Sequence, residues 1–583
     1  MLACVALSAL LPLLGPVAPA PGQNHTATDS VVAGPPTLGT AATSPTLSRL
    51  AGSDRYATSV AISAHRFPDP AAVTEVYLAR GDVFADALTA GSVVKGPVLL
   101  VPSCSGVPAT VAAEIARLDP ERVYALGGAD AVCDATLAAA SSGRPVDRLV
   151  GADRYGTAAA VARHVFPDGA GTVYLAAGRT SPDAVAGGTL TGGPILLTST
   201  DGTGLPLATA EAIAALHPDQ VVALGGPAAV SETLLQVAAG GRPTGRLAGP
   251  DRWATAVEIA RAAHPTPTGR VYLARGDGQN YVDAVAAGVL ADGPVLLTRG
   301  SCDWVPTLVQ GYLSEAAPTA VVALGGNAAL CDTVLRMASR AVAPRTPVDC
   351  TQAHCVALTF DDGPSPYTWD LLDTLVAYDA PATFFLVGQQ VAARPATTRR
   401  IAMEGHQVGN HSYSHPDFTT ASRASMLSQL ETTAALIGEQ GIPHPTTFRP
   451  PYGAWSSTVR GLGRPLILWS VDTRDWETRN TAAIAEHVRT HAFRGDLVLQ
   501  HDSISQSVAA VPAIISDLRS RGYTLVTLDE LVPGMAPGDL VYEQYQVAHT
   551  STTAELRTDA RVEGERVETL RDDAPAPQDP GGP

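Results

Sequence analysis

The chain has 583 residues, of which 45% are hydrophobic, so it has material for about two to five domains with apolar cores. Its formal net charge is −17, and Lys95 is the only lysine. A chain of this kind has no basic stripe such as nucleic acids require, so we predict that nucleic acid is not a partner.

The first element is a short apolar run at the N-terminus. Residues 2–14 are almost all apolar and lead into the small residues of 15–20, although the usual preceding basic residues are missing. This pattern is typical of a secretory signal and its cleavage region. We therefore expect a signal peptide over residues 1–22, a linker over 23–46 and an exported protein. No later run approaches about 18 apolar residues, so we predict no membrane span.

Three internal repeats follow, with periods of 99 and 98 residues. The segment RLAGSDRYAT at 49–58 returns as RLVGADRYGT at 148–157 and as RLAGPDRWAT at 246–255. In each repeat, short apolar β-rich runs alternate with alanine-rich helical stretches, which predicts small parallel α/β layers. The period is too long for a solenoid unit. We therefore expect three tandem small parallel α/β modules, over residues 47–145, 146–244 and 245–342.

The repeats resemble the type 2 cell-wall-binding repeat in this opening motif, in a Gly-Pro-Val/Ile-Leu-Leu strand and in an Ala-Leu-Gly-Gly turn. The resemblance implies modules that hold a secreted protein on a bacterial wall, usually through an anionic wall polymer. Arg55, Arg154 and Arg252 are the candidate ligands of that polymer, because an acidic chain needs locally placed arginines to bind an anion. The alternative is structural: the motif's Asp caps a helix, its Arg pairs with an acid, and its aromatic ring packs between modules.

The cysteines follow the same repeat pattern. Of seven, Cys4 falls in the expected signal. Two pairs lie 29 residues apart at matching places in the first and third repeats, and the middle repeat lacks both members. Cysteines that are present or absent together behave as bonded partners, although free thiols are the alternative. Each such loop is worth roughly 3–4 kcal/mol in the chain-entropy model. We predict the disulfides Cys104 with Cys133, Cys302 with Cys331, and Cys350 with Cys355.

A proline-bearing linker over residues 343–353 leads into a unit expected at 354–535. Here three apolar runs end in polar residues: 355–360 leads to Asp361 and Asp362, 466–471 to Asp472, and 497–500 to His501. Candidate catalytic groups at the C-terminal ends of several parallel strands are typical of a barrel-like α/β enzyme. The sequence therefore predicts one pocket at this end of the strands.

A divalent metal site is predicted from two histidines and a carboxylate. His411 and His415 are four residues apart, which suggests that one helical turn presents both imidazoles on the same face. With Asp362 they leave coordination positions open for water and substrate, unlike a structural four-ligand site. An iron oxygenase uses the same trio, but its usual jelly-roll strands are not indicated.

The neighbouring residues suggest acid–base roles around that site. Asp361 is expected to accept a proton from a water activated by the metal as it attacks a carbonyl carbon, and His501 to protonate the leaving amine. Asp475 is expected to hold the His501 tautomer and raise its pKa, and Arg449 to orient Asp361.

Five short motifs carry a second resemblance: TFDDG at 359–363, HSYSH at 411–415, RPPY at 449–452, DTRDW at 472–476 and LQH at 499–501. Together they resemble the NodB homology domain, the polysaccharide deacetylases of carbohydrate esterase family 4. The resemblance implies a distorted (β/α) barrel that hydrolyses N-acetyl groups of amino sugars. It also implies the metal, base and acid roles given above.

The same resemblance assigns two further features. The backbone N–H of Tyr452 is implied to help stabilise the tetrahedral oxyanion. Trp476 and Leu499 are implied to line the slot for the acetyl methyl group, with ordinary core packing as the alternative.

We predict a secreted, wall-attached, metal-dependent deacetylase acting on N-acetylglucosamine of peptidoglycan. Zinc is expected, with cobalt, nickel or manganese as alternatives. Other functions that the sequence leaves open are a chitin-oligosaccharide deacetylase, an O-acetyl xylan esterase and an adhesive wall-binding protein with a silent esterase domain. Residues 536–583, rich in Asp, Glu, Thr, Pro and Gly, are expected to form a mobile tail.

Overall fold

The computed structural model describes residues 44–82, 96–179, 182–200, 204–278 and 282–548. The expected signal peptide, most of the first linker and residues 549–583 of the expected tail lie outside the described residues, as does Cys4. Among the described residues, no helix has both the length and the apolar character needed to cross a membrane.

Each repeat alternates strands and helices as predicted. The elements of the first repeat are β1 (Thr46–Leu50), α1 (Arg55–Arg66), β2 (Glu75–Arg80), β3 (Val98–Val101), α2 (Ala109–Leu118), β4 (Arg122–Leu126) and α3 (Asp134–Ser141). Those of the second are β5 (Val146–Leu149), α4 (Arg154–Val165), β6 (Thr172–Ala177), α5 (Pro182–Gly187), β7 (Ile195–Thr198), α6 (Leu207–Leu216), β8 (Gln220–Leu224) and α7 (Glu232–Ala239). Those of the third are β9 (Thr244–Leu247), α8 (Arg252–Ala263), β10 (Arg270–Arg275), α9 (Val282–Val285), β11 (Val295–Thr298), α10 (Thr307–Ala316), β12 (Ala320–Leu324) and α11 (Asp332–Val342).

The repeats form three four-stranded parallel sheets, but each sheet takes one strand from another repeat. Their orders are β3-β2-β4-β5, β7-β6-β8-β9 and β11-β10-β12-β1. The opening strand of the second and third repeats joins the sheet of the repeat before it, and β1 pairs with β12 of the third repeat. The expected boundaries at 47, 146 and 245 therefore divide sheets, and the three repeats close into a cycle.

The burial of the inner strands of the repeats follows from their apolar composition. All residues of β3, β7 and β11 are buried, as expected of parallel strands covered by helices on both faces.

All three predicted disulfides are confirmed. The Cα atoms of Cys104 and Cys133 are 5.4 Å apart, those of Cys302 and Cys331 5.7 Å, and those of Cys350 and Cys355 5.5 Å.

The C-terminal unit contains a larger and less regular set of elements. Its strands are β13 (Cys355–Asp361), β14 (Thr383–Leu386), β15 (Gln407–Asn410), β16 (Leu466–Ile467), β17 (Val471–Asp472), β18 (Leu497–His501), β19 (Thr524–Val526), β20 (Leu540–Glu543) and β21 (Gln546–Ala548). Its helices are α12 (Thr368–Ala377), α13 (Gly388–Ala393), α14 (Pro395–Met403), α15 (Arg423–Gly438), α16 (Ser457–Arg460), α17 (Asp475–Thr478), α18 (Thr481–His491), α19 (Ser505–Ser520) and α20 (Leu528–Leu531). Short 3₁₀ turns in the chain span Pro70–Ala72, Ala286–Val289 and Pro451–Gly453.

These strands form a distorted barrel, as the fold class predicted. Parallel strands run in the order β15-β14-β13-β18-β17, with β19 also paired to β13. Bridges through Phe448 connect β15 to β16, which pairs with β20 and, through it, β21. A bridge from Glu543 to Asp496 returns towards β18. The barrel places the C-terminal ends of β13, β15 and β18 at one site.

Two sequence boundaries need correction. The run 466–471 is not one strand, because Leu468 donates its N–H to Val541 while Ser470 donates to Leu497, which splits it into β16 and β17. The folded unit also extends past residue 535, since β20 and β21 belong to the sheet and Leu540 and Val541 are buried. The folded unit therefore extends at least to the end of β21.

Candidate functional site

The predicted metal trio is assembled at the ends of β13 and β15. Asp362 Oδ1 lies 3.6 Å from His411 Nε2 and 3.4 Å from His415 Nε2. One donor atom from each residue lies within 4.8 Å of the others. Two imidazole nitrogens and a carboxylate oxygen at this spacing fit a divalent ion with positions left open.

The histidines do not share a helix turn, so the interpretation of their spacing is wrong. His411 follows β15, and the segment up to His415 is a loop in which Ser412 has φ +67° and His415 φ +60°. Left-handed backbone at these two residues turns the chain back and brings the rings to a centroid separation of 4.9 Å. The pair of histidines that does share a helical face is His487 and His491 on α18, whose rings stack at 4.1 Å.

Neighbouring groups prepare both imidazoles for a metal. His411 Nδ1 lies 2.7 Å from the carbonyl oxygen of Arg449, which accepts its proton and leaves Nε2 facing the trio. Burial, reinforced by the adjacent His411, lowers the pKa of His415 to about 4, so its ring is neutral. Neutral imidazole is the form that binds metal.

Asp361 is oriented by a buried arginine. Arg449 Nη1 donates to Asp361 Oδ1 at 2.8 Å and to Thr359 Oγ1 at 2.8 Å, while Nη2 donates to the carbonyl oxygen of Leu468 at 2.8 Å. The guanidinium also lies over the Phe385 ring, 4.2 Å from its centroid. Asp361 Oδ2 is left facing the trio, 3.8 Å from His411 Nε2.

His501 and Asp475 form the second titratable pair of the site. Asp475 Oδ1 lies 2.7 Å from His501 Nδ1, and its Oδ2 accepts the His501 backbone N–H at 2.7 Å. Burial works to lower the pKa of His501, but Asp475, with smaller effects of Asp362 and Asp361, outweighs it and raises the pKa to about 9. The imidazole is therefore protonated at neutral pH and able to donate a proton.

Left-handed backbone is concentrated at this site. Seven described non-glycine residues of the C-terminal unit have positive φ, and six of them belong to the trio, to one of the five motifs or to the cavity: Asp362, Ser412, His415, Tyr452, Arg474 and Arg479. Such conformations cost of order 1–3 kcal/mol each and cluster where a site needs them. Tyr452, at φ +62°, places its ring edge-on to His415 at 4.6 Å.

A cavity of about 370 Å³ opens beside the trio. It is lined by Asp362, Tyr367, Trp476, Arg479, His501 and residues 503–506. Trp476 lines this cavity, whereas Leu499 is buried on β18 and does not. That either residue contacts an acetyl methyl group stays a prediction. Tyr367 and Arg479 were not predicted from the sequence, because neither lies inside one of the five motifs.

A further carboxyl group, which the sequence did not predict as part of the site, lies next to His501. Asp502 is fully buried and accepts a hydrogen bond from Thr368 Oγ1 at 2.5 Å. Burial raises its pKa to about 7. Its carboxylate packs so tightly on Gly363 that no Cβ fits there. The glycine of the TFDDG motif and the residue after LQH thus support the turn that carries Asp361 and Asp362.

In the repeats, the arginines predicted to bind the wall polymer make structural contacts. Each donates from Nη1 to the carbonyl of the glycine that follows a strand of its own repeat: Arg55 to Gly81 at 2.7 Å, Arg154 to Gly178 at 2.8 Å and Arg252 to Gly276 at 2.8 Å. The preceding aspartates cap the helices, as the structural alternative expected: Asp54, Asp153 and Asp251. The aromatic rings of the motif pack against those same glycines.

Two family models match the sequence. The polysaccharide deacetylase model matches residues 349–466, and the cell wall binding domain 2 model matches residues 49–137, 148–235 and 246–335. Together they cover all three repeats and the first part of the barrel, up to the start of β16.

Curated relatives match the deacetylase part. Peptidoglycan-N-acetylglucosamine deacetylase PgdA of Listeria monocytogenes is 43% identical over 178 residues, which make up 30% of this chain and 38% of the relative. A peptidoglycan-N-acetylglucosamine deacetylase of Bacillus cereus is 37% identical over 187 residues, with 30% of this chain and 87% of the relative covered. The chain thus spans well under two thirds of the Listeria protein. The solved structure of peptidoglycan deacetylase PdaC from Bacillus subtilis is 40% identical, with a TM-score of 0.31 and coverage of 32% of this chain and 92% of that one.

Proposed function

The chain belongs to the polysaccharide deacetylase family and carries three cell wall binding repeats, and from this we propose that it is a secreted, wall-attached, metal-dependent enzyme that removes N-acetyl groups from peptidoglycan N-acetylglucosamine. The observation that carries the proposal is the arrangement of Asp362, His411 and His415 beside a carboxyl group that can act as base, Asp361, and a protonated acid, His501.

The proposal assigns the metal to Asp362, His411 and His415, with zinc preferred by the nitrogen-rich donor set and cobalt, nickel or manganese as alternatives. The donor spacing and the His411 tautomer support this assignment. A divalent ion bound there supplies Lewis-acid polarisation of the acetyl carbonyl and lowers the pKa of water.

Asp361 is the proposed general base. One of its oxygens is engaged by Arg449, so the other is free to take a proton from the attacking water. Because Arg449 is itself fixed by two carbonyls and Thr359, it holds that carboxylate at one angle rather than merely near the site. Removal of the carboxylate in Asp361→Asn should abolish acetate release while leaving the trio intact.

His501 is the proposed general acid, which gives its proton to the departing amine nitrogen. Asp475 keeps the imidazole protonated and fixes the ring in place, because its two carboxylate oxygens contact Nδ1 and the backbone N–H of His501. The backbone N–H of Tyr452 is the proposed oxyanion donor, in a strained turn next to His415. Loss of one such donor typically reduces the rate by about 10²–10³-fold.

The choice of peptidoglycan rests on the relatives and on the repeats, and chitin and acetyl-xylan are its rivals. Acetate release should be measured on purified peptidoglycan, chitin oligomers and acetyl-xylan with the wild-type protein and Asp361→Asn. We expect release from peptidoglycan by the wild type alone. If peptidoglycan is inert while another polymer reacts, the substrate assignment is wrong; if all three are inert, the catalytic assignment is wrong as well.

The repeats are proposed to bind an anionic wall polymer through Arg55, Arg154 and Arg252. Each of these arginines uses Nη1 for a carbonyl. In Arg55 and Arg154 the guanidinium has further N–H groups that can donate to a ligand. The triple alanine variant should lose wall retention, and Arg163→Ala, which removes an exposed arginine on α4, serves as the control. Thermal unfolding must be followed in parallel, because the three arginines also join helix to strand. Full retention by a folded triple variant would rule out these ligands.

A further inference from the structure

The cavity beside His501 contains a cation that the proposed reaction does not use. Arg479 follows α17 with φ +43°, lines the cavity and is exposed. Its Nε donates to the carbonyl of Trp476 at 3.3 Å, and no carboxylate pairs with its guanidinium among the residues that the structure describes. The backbone of Arg479 is left-handed at the C-terminal end of α17, a conformation that is costly for a residue other than glycine.

The other charges of the cavity are already balanced. His501 is paired with Asp475, and Asp361 with Arg449. Asp362 belongs to the metal trio. Arg474, at the opposite end of α17 and also at positive φ, pairs with Glu477 at 2.8 Å and does not line the cavity. Arg479 is therefore the cationic group in the cavity that still has room for an anionic partner.

The walls of the cavity suit a sugar. Tyr367 and Trp476 are 41% and 50% exposed, and such rings offer flat surfaces to the apolar face of a pyranose. Ser503, Ser505 and Gln506 add hydrogen-bonding groups, and the volume of about 370 Å³ falls in the range of small-ligand sites. A guanidinium in these surroundings favours a planar anion that accepts two hydrogen bonds, which is a carboxylate.

We propose that Arg479 selects glycans that carry a carboxylate beside the N-acetyl group being hydrolysed. This inference rests on the proposed deacetylase function and adds a substrate class to it. In peptidoglycan the carboxylate is that of the lactyl ether on the alternating muramic acid, which is free where the stem peptide has been removed and is an amide where the peptide is attached. In other polymers it comes from a uronic acid. Chitin, which has neither, should bind without this contact.

The test compares wild type, Arg479→Gln, Arg479→Lys and the matched control Arg474→Gln. Each is assayed for acetate release from peptide-free peptidoglycan glycan fragments, hyaluronan oligomers and chitin tetraose. On the lactyl-bearing glycan we expect Arg479→Gln to lose roughly ten- to a hundredfold in kcat/KM, through a higher KM, as for a lost charge-assisted hydrogen bond. Arg479→Lys should recover part of this loss, because lysine keeps the charge but not the paired donors.

On chitin tetraose the Arg479→Gln variant should stay within about threefold of wild type. A similar loss of kcat/KM on hyaluronan would show that Arg479 recognises carboxylates in general. No loss on hyaluronan would show that Arg479 recognises the lactyl carboxylate in particular. Equal losses on acidic and neutral glycans, a fall in kcat alone, or the same effect in Arg474→Gln would overturn the inference. Wild-type protein inert on every N-acetyl glycan would instead overturn the proposed deacetylase function, and the inference with it.

Discussion

Replacing Asp475 by asparagine removes the buried negative charge that keeps His501 protonated. Asp475 Oδ1 lies 2.7 Å from His501 Nδ1, and the pKa of His501 is about 9, against an ordinary value of 6.5. Burial still acts on the imidazole in the variant, so we expect its pKa to fall to about 6.5 or lower. At pH 8 the protonated fraction then drops from about 90% to about 3%, a roughly 30-fold loss of the acid form.

The assay is the pH dependence of kcat/KM between about pH 5.5 and 9.5. In Asp475→Asn the alkaline limb should move down towards neutrality, and the loss should grow from less than about threefold at pH 6 to about 30-fold at pH 8. A bound divalent cation lowers the pKa in both proteins, so it moves both profiles to lower pH and keeps the order of their alkaline limbs. Asp472→Asn is the control, since Asp472 accepts the Arg474 backbone N–H rather than a bond from His501.

The same variant also changes stability with a defined sign. Because the folded-state pKa of His501 is raised, its contribution is fully present below pH 6.5 and is lost as pH rises through about 9. The difference corresponds to about 3 kcal/mol. Urea unfolding should therefore show a gap between wild type and Asp475→Asn that narrows from pH 6 to pH 9.5. A loss of activity that is equal at pH 6 and pH 8, with a constant stability gap, would refute this account of the acid.

Three further perturbations test the metal site, the turn that carries the base and the closure of the repeats. Removal of the metal by a chelator should abolish acetate release while the circular dichroism spectrum stays unchanged. Added zinc should restore the activity of the wild-type protein but not that of His415→Ala. Turnover that resists chelation would contradict the metal assignment. Gly363→Ala should lower the free energy of unfolding by about 1–3 kcal/mol, because the added Cβ meets the Asp502 carboxylate. The control Gly461→Ala, whose Cβ meets atoms at 3.4 Å or more, should lower it by less than about 1 kcal/mol. Equal losses in the two variants would contradict the packing argument. Arg49→Ala should speed amide hydrogen exchange in β12 and lower the free energy of unfolding by about 1–2 kcal/mol, because Arg49 donates to the Gly325 carbonyl and to Asp332 across the closing sheet. Unchanged exchange would argue against closure through β1.

The sequence predicted the site's members better than the backbone that assembles them. Asp361 and His501 end apolar strands, and parallel strands bring their C-terminal ends together, so the placement of these residues follows from local pattern. The loop between His411 and His415 does not follow in this way, because a four-residue spacing fits both a helix turn and a chain reversal through left-handed residues. In the structure the reversal is held by hydrogen bonds from the backbone N–H groups of the loop: Ser412 donates to Asn410 Oδ1, Tyr413 to Gln429 Oε1 and His415 to Ser412 Oγ.

The repeats show a second limit of the sequence. Their period identified three copies, but a parallel strand such as β1 has the same hydrogen-bonding groups towards the sheet of its own repeat and that of another. The choice is made by long-range contacts, here Arg49 with Gly325 and Asp332. At the other end of the chain, β20 and β21 were assigned to a mobile tail because acidic and proline-rich residues follow them. Burial of Leu540 and Val541 against β16 outweighs that composition.

The connection between repeats and barrel bears on how the enzyme would meet its polymer. The linker is not a free tether, because Arg345 pairs with Glu530 and the Val348 N–H donates to the same carboxylate at 3.1 Å. The third repeat adds a direct contact, in which Arg399 Nε donates to Asp303 at 3.2 Å. Fixing these groups removes the conformational freedom that a flexible linker of the same length would keep. If the repeats bind the wall as proposed, the cleft is held at a set distance and angle from it. The effective concentration of substrate is then raised only for glycan chains that lie within reach of the cleft in that orientation.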